Sequence, residues 1–78
     1  MKSAKVMFEE LGYTCEKSNG EITYVYHFAN QRTYSCRISF YLSLEKYSAT
    51  ETLCGLFIDV SLHKAITKQM EELGWLEE

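Results

Sequence analysis

The side chains able to do chemistry in this chain are three cysteines, Cys15, Cys36 and Cys54, two histidines, His27 and His63, and eleven carboxylates. A zinc centre draws Cys and His in closely spaced pairs so that four ligands converge, and none of these five stands in such a pair. A nucleophilic thiol or hydroxyl needs a base within hydrogen-bond reach and an oxyanion site, and the local signature G-x-S-x-G is absent. The four glycines are isolated at turn and helix-end positions, so no glycine-rich loop cradles a phosphate. The chemistry-bearing residues therefore predict a protein without catalytic role, metal site or cofactor.

Recognition remains. Arg and Tyr are the types that anchor interfaces, and Arg37 and Tyr41 fall at alternate positions of one strand, with Val25 and His27 likewise alternating on the strand before it. These four, Val25, His27, Arg37 and Tyr41, are the first candidate contact surface. The second is acidic: Glu9 and Glu10 at the end of one helix and Glu71 and Glu72 at the end of another, with Glu77 and Glu78 beyond, a set suited to a basic surface if the two ends meet.

The elements that must position them follow from periodicity. Ile22, Tyr24, Tyr26 and Phe28 recur every second residue, and Tyr34, Cys36, Ile38, Phe40 and Leu42 repeat the pattern after a polar turn. One face of this pair is core, and Cys15 and Cys36 on it read as small core residues; the other face carries Thr23, Ser35, Ser39 and the candidate contacts. Before the pair, Tyr13 to Lys17 is a short strand ending at Asn19-Gly20, a hairpin signal, and the register places Cys15 opposite Tyr24 and Tyr13 opposite Tyr26. Parity sets Phe28 opposite Tyr34, Val25 opposite Arg37 and His27 opposite Ser35, with an odd loop inside Ala29 to Thr33.

A fourth strand returns through a four-residue turn, Ser43 to Lys46, bringing Tyr47, Ala49 and Leu53 to the core face. Glu51 has the parity of those core residues, which predicts an end or bulge near Thr50 and a connection from Thr52 to Leu56. Helices flank the sheet. Ser3 caps a first helix with Ala4, Met7, Phe8 and Leu11 on one side; Asp59 caps a last helix with Leu62, Ala65, Ile66, Met70 and Leu73 on one side. Both end in Glu-Glu-Leu-Gly followed by an aromatic, a stop signal. The prediction is one domain, residues 1–78, of α+β class: a four-stranded antiparallel meander with an N-terminal and a C-terminal helix packed on one face, in the order α-β-β-β-β-α.

The opening Met7-Phe8-Glu9-Glu10-Leu11-Gly12-Tyr13, the strand Ile22-Thr23-Tyr24 and the closing Lys64 to Leu76 together resemble small uncharacterised proteins of Gram-positive phages and prophages. That resemblance implies a setting rather than a residue role: such proteins are often inhibitors or adaptors of host machinery, anti-CRISPR and other anti-defence proteins among them.

Net charge is −3 and no basic run exists, so the attraction that drives nucleic-acid binding is missing. No apolar stretch approaches the ~18 residues of a membrane span, the first twelve residues do not read as a signal peptide, and the odd cysteine count fits reduced thiols. A cytoplasmic location is expected. The leading functional expectation is a protein-binding module of a phage or mobile element that inhibits a host protein; a structural homodimer and a weak RNA or single-strand binder using Arg37 and Tyr41 stay open beside it.

Overall fold

The computed structural model describes residues 2–27, 35–52 and 57–76. Its elements run α1 (Ala4–Glu10), β1 (Thr14–Ser18), β2 (Glu21–His27), β3 (Ser35–Tyr41), β4 (Lys46–Glu51) and α2 (Val60–Glu72). The four strands form one antiparallel sheet in the order β1-β2-β3-β4, and both helices lie on one face of it. Among the described residues no helix is long and apolar enough to cross a membrane.

The alternation of the strands decides which side is core. Cys15, Tyr24, Ile38 and Ala49 stand in one cross-strand row, and Lys17, Ile22, Phe40 and Tyr47 in the next. Phe8 from α1 and Leu62, Ala65 and Ile66 from α2 close over Tyr24, Ile38 and Phe40 as a single buried cluster. Each large side chain so buried contributes about 1.5–3 kcal/mol. The Phe8 and Tyr24 rings stack at 3.8 Å, with Phe40 edge-on to both. Gln69 completes this layer from α2, 5% exposed, and accepts a hydrogen bond from the Tyr24 hydroxyl. Its position continues the stripe of Leu62, Ala65 and Ile66, although its polarity hid it from a search for apolar residues.

The helix ends explain the repeated Glu-Glu-Leu-Gly. At the end of α1 the Gly12 N–H donates to the Glu9 carbonyl and the Tyr13 N–H to the Phe8 carbonyl, both at 3.0 Å. At the end of α2 Gly74 donates to Glu71 and Trp75 to Met70, again both at 3.0 Å. This is the Schellman arrangement, with the glycine in the left-handed region at φ 94° and 77°. The aromatic that follows folds back each time: Tyr13 edge-on to Phe8, Trp75 against Phe40.

The expected register holds throughout the described strands: Cys15 opposite Tyr24, Val25 opposite Arg37, His27 opposite Ser35. The pairing of Phe28 with Tyr34, the loop between them, Leu53 and the connection to Leu56 lie outside the described residues. At the first hairpin Gly20 takes a positive φ, 78°, and Asn19 does not, so one left-handed residue makes the turn. One expectation needs correction here: the turn from Ser43 to Lys46 with Leu42 on the core face. The turn after β3 spans Leu42 to Glu45, with Glu45 as its left-handed residue at φ 51°. Leu42 accordingly leaves the core and is 38% exposed. β4 ends near Thr50 as expected, one residue on at Glu51, which pairs with Cys36 and lines a cleft with residues of the α1 end and the α2 start.

Candidate partner-binding site

The second face of the sheet carries the residues singled out by sequence, in rows set by the register: Thr14, Val25, Arg37 and Thr50; Glu16, Thr23, Ser39 and Ser48; Ser18, Glu21, Tyr41 and Lys46. His27 and Arg37 are exposed and Tyr41 is half-buried, its hydroxyl 3.2 Å from the Ser48 hydroxyl. Val25 is a correction. Expected as an open contact, it is 1% exposed: a medium side chain on an inner strand is walled by Thr14 and Arg37 across the strands and by Thr23 and His27 along its own. Thr23 and Ser39 are buried as well, 3.1 Å apart, and Thr23 donates to Glu21 at 2.7 Å. The middle of this face thus joins hydroxyls to one another and to the Glu21 carboxylate, with Arg37 exposed beside them on β3.

The acidic helix ends do not converge. The Glu72 carboxylate at the end of α2 accepts the Ala4 N–H at the start of α1, 2.8 Å away, while Leu11, beyond the other end of α1, shares a small cleft with Ser61 and Lys64 near the start of α2. The helices therefore run antiparallel, with Glu9 and Glu10 at one end of the pair and Glu71 and Glu72 at the other. Glu10 is also engaged locally, by Lys2 at 2.8 Å. Glu77 and Glu78 lie outside the described residues.

A third region joins parts that are distant in the chain. Leu11 and Tyr13 from the end of α1, Tyr26 of β2, Cys36 of β3, Glu51 of β4, and Phe57, Asp59 and Leu62 at the start of α2 line a cleft of about 340 Å³. Its side chains are held. The Tyr26 ring lies so close over Gly12 that a Cβ there would stand 2.8 Å from it, and the Tyr13 and Tyr26 rings sit 5.6 Å apart at 50°. Asp59 Oδ1 accepts the Leu62 N–H at 2.8 Å, the α2 cap, and Glu51 Oε2 accepts the Cys36 thiol at 3.8 Å. Burial, and then the neighbouring Cys36, Asp59, Tyr26 and Glu51, push the Tyr13 hydroxyl up to about 12. Burial and Glu51 push the Cys36 thiol up in the same way.

At the mouth of this cleft Phe57 is 89% exposed and Val60 70%, with Ile58 between them. Three large apolar side chains within four residues stand in water there. Other exposed apolar residues, Leu42, Leu44 and Tyr47, surround the β3–β4 turn. Among the described residues no group of three or more His, Cys, Asp and Glu is placed to hold a metal.

Parity carries the one sequence signal for this cleft. Glu51 faces inward as the last residue of β4, and its conflict with an apolar face points to a polar pocket at that strand end. No protein-family model, curated protein or solved structure matches this chain.

Proposed function

We propose that this protein is a small, non-enzymatic protein-binding module that meets its partner through the Phe57–Val60 segment and the cleft behind it. One observation carries the reading: Phe57 is 89% exposed on a domain that buries Phe8, Tyr24 and Phe40 beneath two helices. Apolar surface left in water is a standing cost of about 25 cal/mol per Å² that a partner removes, and an aromatic next to a shaped recess is the usual anchor of an interface. In the setting that the sequence resemblance implies, the partner is a host protein, such as a defence component, which this phage or mobile-element protein inhibits in the bacterial cytoplasm.

The test is affinity capture from a Gram-positive bacterial lysate with the wild type and a Phe57→Ser, Val60→Ser variant, each first shown folded by circular dichroism. The reading expects a protein retained by the wild type and lost by the variant. Equal retention by both would overturn the assignment of this segment. A structural homodimer would cover the same apolar residues; it expects light scattering to give twice the chain mass for the wild type and the single mass for the variant.

A further inference from the structure

We infer that the cleft between α1, the sheet and the start of α2 is a receptor for an arginine side chain presented by the protein partner. The source of the side chain rests on the reading above; the chemistry rests on the cleft itself. Among its described lining residues there are two carboxylates, Glu51 and Asp59, and two phenols, Tyr13 and Tyr26, and none is Lys, Arg or His. Phe57 adds a third ring at the mouth. A volume of about 340 Å³ is at the small end of ligand pockets and takes one long side chain, not a packed helix.

Aromatic faces and carboxylates together select a flat organic cation. A guanidinium stacks on a Tyr or Phe ring through its face while its fork of N–H groups meets carboxylate oxygens at its edge. The parts are fixed before any ligand arrives. Tyr26 rests on the Gly12 backbone, Tyr13 is edge-on to Phe8, Asp59 is tied to the α2 cap and Glu51 to the Cys36 thiol. Little side-chain freedom is then lost on binding, which is what makes a small recess an effective anchor. Glu51 and Asp59 both lie close enough to Tyr13 to oppose a negative charge there, the sign that two carboxylates facing one cleft give.

The experiment is an NMR titration of the full chain with N-acetyl-arginine amide and, as a neutral isostere, N-acetyl-citrulline amide. The inference expects saturable shifts at Tyr13, Tyr26, Glu51 and Phe57 with the arginine probe, and binding at least about tenfold weaker with citrulline, a difference of the size of one charge-assisted contact. Glu51→Gln should weaken the arginine probe by at least about fivefold. Asp59→Asn, which keeps a side-chain oxygen for the helix cap, should weaken it similarly and guards against misfolding in the other variant. No shift, equal response to both probes, or shifts centred elsewhere would overturn the inference. Such a result would leave the protein-binding reading to the capture experiment, which does not depend on the cleft's charge.

Discussion

At the scale of single residues, the buried polar pair Tyr24 and Gln69 joins the sheet to α2 in the middle of an aromatic core. Removing the hydroxyl leaves the Gln69 amide oxygen buried without its donor, so Tyr24→Phe should cost about 1–3 kcal/mol in urea unfolding. Adding Gln69→Leu to Tyr24→Phe should recover part of that loss, because neither polar atom then remains; a double variant weaker by the sum of both singles would contradict the pairing. Tyr13 has a consequence in pH. Its folded-state value of about 12 lies above the ordinary tyrosine value of 10, so the folded state holds the proton more tightly than the unfolded chain. Its stabilisation is complete below pH 10 and is lost as pH rises through about 12. Tyr24, raised still further by burial and its acidic neighbours, acts in the same direction. Thermal midpoints should therefore fall between pH 10 and 12, and Tyr13→Phe should flatten the fall.

At the scale of elements, the helix stops and the strand register were legible in sequence because each rests on local rules. Glu-Glu-Leu-Gly-aromatic ends a helix through two hydrogen bonds within six residues, and a period of two fixes which strand residues share a face. Gly12 shows how such a local device also serves the cleft. Gly12→Ala would both force an L side chain to φ 94° and drive a methyl into the Tyr26 ring, whereas Gly20→Ala meets no atom within 4 Å. The first should cost about 1–3 kcal/mol and weaken the arginine probe; the second should cost about 1 kcal/mol and leave probe binding unchanged. Equal effects on the probe would separate Tyr26 from the site.

At the scale of the whole molecule, sequence reading reached the architecture but not the cleft, and it placed the buried Val25 on an open surface. The meander and its covering helices followed from patterning, since a face of Tyr24, Ile38 and Phe40 must be buried by something apolar. The open-face candidates were chosen by residue type and parity, and parity does not distinguish an exposed inner-strand residue such as Arg37 from a buried one such as Val25. The cleft was out of reach for a different reason. Its lining comes from the end of α1, from β2, β3 and β4 and from the start of α2, so only the packed chain brings Tyr13, Glu51 and Phe57 together. The same packing separates the acidic helix ends, since antiparallel helices place like ends apart and turn Glu72 to the service of α1. The exposed Phe57–Val60 segment beside that cleft is the centre of the functional account. Its most direct test is the comparison of wild type with Phe57→Ser, Val60→Ser in affinity capture. The account predicts a discrete protein held by the wild type and released by the folded variant; a protein held equally by both would contradict it.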